Sequence, residues 1–168
     1  THDPEEAMFM SDKIGILNNG CIEQFGNPMD LYLRPKSVFI AEFFGEINVL
    51  EGIVQEGYIN TVLGTFNCSQ RFNNKKVKIV IRDEAIKLFS ATKINLDTQD
   101  KTDFIKSPYY GHVMEARLLA GSSLVHLSLK VDESNFHIHA RIPGLNFFKV
   151  DEKVIVETDP TQIFIFEQ

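Results

Sequence analysis

The chain has 168 residues and a mass of 19.1 kDa, and is 43% hydrophobic and 24% charged. That is enough for one sizeable core, or for one domain and part of another, and it excludes intrinsic disorder and collagen-like repeats. Seventeen Lys and Arg against 23 Asp and Glu give a net charge of −6 and a pI near 5.3, which argues against nucleic-acid binding through a broad basic patch; no apolar run approaches the ~18–20 residues of a membrane span.

The opening Thr1-His2-Asp3-Pro4-Glu5-Glu6 has no charged-then-apolar signal pattern and no initiator Met, so the chain is expected to begin inside something larger. Glu5 to Met10 reads as a helix after Pro4, with Asp3 as its N-cap and Glu5 and Glu6 suiting the positive end of the helix dipole. Lys13 to Leu17 and Cys21 to Phe25 read as the strands of a hairpin joined by Asn18-Asn19-Gly20. Gly26-Asn27-Pro28 opens a second helix, Met29 to Leu33, which Arg34-Pro35 stops. Ser37 caps a third, Val38 to Phe44, with Glu42 facing outward and Gly45 ending it.

Beyond about Ile47 the pattern is almost entirely β. Strands are expected at Val49–Gln55, Tyr58–Val62, Val77–Ile81, Gly111–Leu119, Leu124–Val131, Phe136–Ile142, Lys153–Glu157 and Ile163–Phe166. Several alternate apolar and polar residues, as strands with one buried and one wet face do. Asn95 to Thr102 reads as a loop. Many short strands with regular turns predict a mainly β fold, an OB-like small barrel or sandwich, preceded by a short α/β piece. The 14 Phe are expected to build the core. Cys21 and Cys68 form no CxxC pair, and as small core or strand residues they fit a reducing compartment.

The first fifty residues carry a dense motif match. Thr1-His2-Asp3-Pro4-Glu5-Glu6-Ala7-Met8, Ser11-Asp12-Lys13-Ile14, Asn19-Gly20-Cys21-Ile22-Glu23-Gln24-Phe25-Gly26-Asn27-Pro28 and Leu31-Tyr32-Leu33-Arg34-Pro35 resemble the end of an ABC-transporter ATPase domain, from its switch histidine into the segment leading to the regulatory domain. Val80-Ile81-Arg82-Asp83-Glu84 is similar to the I-R-P-E element of that family's C-terminal transport-associated OB-like (TOBE) domain, with Asp83 in place of Pro. Gly111-His112-Val113, Leu118 to Leu127 and Thr158 to Phe166 resemble its later strands.

The resemblance implies residues 1–45 as the end of a nucleotide-binding domain and residues 46–168 as an OB-like regulatory domain. It implies His2 as the switch histidine, catalytic and nucleotide-contacting only in an intact subunit that uses ATP and Mg2+. Such a residue positions groups and stabilises charge during phosphoryl transfer. The partners implied are a second copy of the ATPase subunit, transmembrane permease subunits and, indirectly, a periplasmic substrate-binding protein. The place implied is the cytoplasmic face of a bacterial inner membrane. The regulatory domain would couple opening and closing of the ATPase dimer to transport, and Val38 to Phe44 would be its hinge or docking element. An apolar face there favours a dimer, with N-terminal elements exchanged. Within the importer branch that takes ferric iron, polyamines, sugars or phosphonates, the runs Asp3 to Asp12, Phe43 to Gly52 and Leu118 to Leu127 lean toward ferric iron.

The sequence has no GxxxxGK[ST] to cradle phosphates and no ABC signature. Val77 to Glu84 imitates a carboxylate-ended strand, but Lys78 and Arg82 break its apolar run and it follows His2 rather than preceding it. This chain alone is therefore not expected to hydrolyse ATP or to hold a cofactor. His112, His126, His137, His139 and Glu115 invite a metal reading, with His137 and His139 on one strand face. No spacing signature demands a metal, so none is expected and the histidines read as a wet sheet face. The alternative function is a free-standing β-barrel module that senses a metal or an oxyanion, which predicts stabilisation by its ligand. Nucleic-acid binding has only Tyr109-Tyr110 beside Lys106 in its favour, and no grouping marks an independent enzyme.

Overall fold

The computed structural model describes residues 1–91, 109–131 and 134–168; the expected loop at Asn95 to Thr102 lies outside them. The N-terminal elements follow local chemistry closely. Helix α1 (Pro4–Met10) begins at Asp3, whose carboxylate accepts from the Glu5 and Glu6 amides. The hairpin β1 (Ile14–Asn18) and β2 (Cys21–Gly26) turns through Asn19 and Gly20, both at positive φ (49° and 81°), the backbone that a tight two-residue turn requires. Asn27 caps α2 (Pro28–Leu33) and Ser37 caps α3 (Val38–Phe43) through the Asp30 and Ile40 amides. Ala7, Ile14, Ile16, Leu31 and Ile40 close a small core, with Met8, Phe43 and Phe44 at its margin. The buried Gln24 ties the hairpin to the α2–α3 connection: its Nε2 donates to the Arg34 carbonyl (3.1 Å), and the Lys36 amide donates to its Oε1 (2.9 Å).

The remainder is β, as expected. The described residues contain β3 (Ile47–Ile53), β4 (Tyr58–Thr61), β5 (Gly64–Asn67), β6 (Lys76–Arg82), β7 (Ile86–Ser90), β8 (Tyr109–Leu119), β9 (Ser122–Val131), β10 (Ser134–Pro143), β11 (Lys153–Thr158) and β12 (Ile163–Glu167). One antiparallel sheet has the order β10-β9-β8-β11-β7, a second has β12-β6-β3, and β4-β5 form a hairpin. The sheets pack face to face. Val77, Ile79 and Ile81 of β6 meet Val113, Val125, Leu127, Leu129, Ile138, Val154 and Val156 in one core, each side chain worth ~1.5–3 kcal/mol of burial. Two crossovers join the sheets, β6 to β7 and β11 to β12, and the Asp159 amide bonds the Ala85 carbonyl between them (2.8 Å). Among the described residues no helix is long and apolar enough to cross a membrane.

Two expectations need correction. β5 and β7 lie outside the expected strands. The core is aliphatic rather than aromatic: Phe72 is the one buried phenylalanine among the described residues, and Phe9 is 92% exposed. The interior is only two β layers thick, and β-branched side chains fill that pleated space. The free cysteines fit the expectation of core or strand residues: Cys21 lies exposed in β2, and Cys68 is half-buried against the main core, with burial pushing its thiol up.

Candidate functional site

The two cores meet at Arg82, the one buried cation among the described residues. β6 ends in Arg82, which is 1% exposed. Its Nη1 donates to the Ala41 carbonyl in α3 (3.1 Å) and its Nη2 to the Tyr32 carbonyl in α2 (3.0 Å). Both carbonyls lie in last helical turns, where no helical amide remains to satisfy them. Arg82 thus caps two helices at their negative ends from a different sheet. Its guanidinium stacks on the Tyr32 ring (4.0 Å) and lies 5.5 Å from the Phe164 ring. Burial pushes it down to about 10, against the opposing pull of Asp83, so it is charged at neutral pH. Its Nε has no hydrogen-bond partner among the described residues.

Around Arg82 lies an open cleft of about 510 Å³, lined by α1, the α3 end and the β6–β7 crossover, including Glu5, Tyr32, Phe44, Asp83, Glu84 and Arg141. The buried Asp83 pairs with Arg141 of β10 (2.9 Å). The Tyr32 hydroxyl donates to Glu84. Tyr32 and Phe43 meet Phe44 edge-on, at 6.2 and 5.1 Å. On the far side, Asn48 of β3 stitches the two sheets. Its Nδ2 donates to the His139 carbonyl (2.8 Å) and its Oδ1 accepts from the His139 amide (2.7 Å), so the side chain replaces a strand neighbour at the edge of β10. The sequence matches Arg82 to the arginine of the I-R-P-E element and shows it as a charge closing an apolar strand, but neither signal points to its helix-capping role, and nothing in the sequence marks Asn48.

His2 is exposed, just ahead of the α1 cap, and makes no hydrogen bond to a described residue. It is not among the side chains lining the Arg82 cleft, although Pro4 and Glu5 are. The other histidines lie on the five-stranded sheet. The His126 and His139 rings are 4.3 Å apart, and Glu115 bonds Arg117 (2.8 Å). Burial, and then His139, hold His126 below the usual imidazole range, with Glu115 opposing. Lys76 and Lys78 belong to β6, and Lys75 pairs with Glu167 (2.7 Å).

No protein-family profile matches the chain. It is similar to spermidine/putrescine import ATP-binding proteins PotA. The protein of Desulfitobacterium hafniense is 37% identical over 157 residues, which are 86% of this chain and 44% of that protein. Those of Acetivibrio thermocellus and Clostridium novyi are 38% and 32% identical, over 66% and 90% of this chain and 32% and 42% of theirs. The chain spans less than half the length of these relatives. The similarity is to the C-terminal region of the ATP-binding subunit of an ABC importer. All three relatives are named for polyamine import and none for iron, so the lean toward ferric iron is not supported. A crystal structure of the cytoplasmic molybdate-binding protein ModG superposes with a TM-score of 0.48 and 17% identity, over 70% of this chain and 94% of that one.

Proposed function

We propose that this chain is the C-terminal, regulatory part of the ATP-binding subunit of an ABC importer for polyamines. The observation that carries it is the 37% identity over 157 residues to a spermidine/putrescine import ATP-binding protein. In this reading residues 1–45 end a nucleotide-binding domain and residues 46–168 form the regulatory domain, a division supported by the two separate hydrophobic cores. His2 contacts nucleotide only in the intact subunit, as its switch histidine. The assembly comprises a second ATPase subunit, permease subunits and a substrate-binding protein, on the cytoplasmic face of the membrane. Arg82 supplies the mechanical link: it holds the last turns of α2 and α3 from the end of β6. A displacement of the β domain reaches the nucleotide-binding end as a rigid-body movement.

Disruption of the gene tests the substrate directly. Loss of radiolabelled spermidine and putrescine uptake with iron uptake intact supports the proposal. Loss of ferric-iron uptake alone restores the sequence-based lean and overturns the polyamine assignment. No change in either overturns the importer assignment for these substrates.

A further inference from the structure

The strand registers collect four of the chain's five histidines on the outer face of the five-stranded sheet. His139 of β10 stands directly opposite His126 of β9, and His126 directly opposite Glu115 of β8. The neighbouring row is His137, Ser128 and His112. Val125, Leu127 and Leu129 alternate with these β9 positions and are buried, so the row faces outward. The register shift between Val113 and Glu115 decides the arrangement. The bulge takes up Met114, and Glu115 lands on the histidine face, where strict alternation would turn it inward. Glu115, His126, His137 and His139 line one cleft of about 450 Å³.

We propose that His126 and His139, joined by Glu115, chelate a borderline first-row divalent cation, with zinc as the reference case. Two imidazoles and a carboxylate are a donor set that such ions accept. Tetrahedral zinc at ~2.0–2.1 Å holds its ligand nitrogens about 3.3 Å apart, and rings 4.3 Å apart reach that separation by small side-chain rotations. Among the described residues no three His, Cys, Asp or Glu already converge as a metal site; the third ligand is recruited when the ion binds. Recruitment asks Glu115 to leave Arg117, an exposed pair of the kind worth ~0–1 kcal/mol. The opposing charge is Arg117 itself, because Arg141, next along β10, is tied to Asp83. The Asn48 clamp fixes the backbone of His139 from behind, which holds the ring's position on the sheet. The proposal rests on sheet register and is independent of the importer reading.

The test is calorimetric titration of the tag-free chain with zinc chloride, alongside His126→Asn, His139→Asn, Glu115→Gln and His112→Asn. One saturable site is expected. It weakens at least tenfold in either of the first two variants and several-fold in Glu115→Gln, and is unchanged in His112→Asn. No saturable binding at millimolar zinc overturns the proposal, as does binding that survives His126→Asn and His139→Asn. Should those variants not fold, Cu2+ electron paramagnetic resonance on the unaltered chain decides: two-nitrogen hyperfine structure supports the site, and one nitrogen or none overturns it.

Discussion

Replacing Arg82 by methionine tests the junction between the two cores. Methionine keeps much of the stem's packing and removes the charge. It abolishes two charge-assisted hydrogen bonds, to Ala41 and Tyr32, worth ~1.5–3 kcal/mol each, and the contact with the Tyr32 ring, worth ~0.5–2 kcal/mol. Relief of the guanidinium's desolvation opposes this by several kcal/mol. What remains is two helix-terminal carbonyls without donors, at ~1–3 kcal/mol each. The expected net loss is therefore about 2–4 kcal/mol by urea denaturation. Arg82→Lys retains the charge but lacks the fork that reaches two carbonyls at once, so it falls between. Hydrogen exchange locates the effect: peptides covering residues 28–45 lose protection first, while those covering β6 and β9 keep it. A variant within 0.5 kcal/mol of the parent, or one that loosens both cores equally, refutes the view of Arg82 as the joint.

Asn48→Leu removes both bonds to the His139 backbone and strands a half-buried amide and carbonyl, so a loss of ~1–3 kcal/mol is expected; an unchanged melting temperature contradicts the stitch. Asp83→Asn keeps an acceptor for Arg141 but removes the charge. With Arg141 37% exposed, solvent screening limits the cost to ~1 kcal/mol, and a loss above ~3 kcal/mol means Asp83 has a larger role than this pair. Glu23 accepts from Ser37 and Asn18, which hold its carboxyl below its ordinary 4.5. Its contribution is present above that value and lost as pH falls through the lowered one. Glu23→Gln is expected to reduce the fall in melting temperature between pH 6 and pH 3, and an identical fall in both proteins counts against these hydrogen bonds.

What was legible in the sequence is what local chemistry decides. Asp3, Asn27 and Ser37 cap helices where their side chains sit next to a helical run, and Asn19-Gly20 turns the hairpin because its backbone tolerates positive φ. The alternating strand β9 reads directly, as does β11 with its short run of three buried residues. β5 is only four residues long, too short to display a period. Only three residues, Asp83 to Ala85, separate β7 from β6, and the pattern gives no sign that the chain has changed sheets between them. Arg82 and Asn48 act on partners 41 to 91 residues away, so nothing near them in sequence marks their roles. The bulge at Met114 is equally silent, yet it brings Glu115 beside His126. The aromatic side chains that the sequence suggested for the core lie instead at margins, where Tyr32, Phe43 and Phe44 pack around the arginine.

The central claim, that this chain is one part of an ATP-binding importer subunit, is tested most directly by sequencing the gene upstream of the Thr1 codon. The account predicts an in-frame phosphate-binding loop, then the ABC signature, then an apolar strand ending in a carboxylate, all before His2. An in-frame stop codon immediately upstream, followed by a start at Thr1, would contradict it: His2 would then have no phosphate to contact, and the chain would have to work as an independent β module.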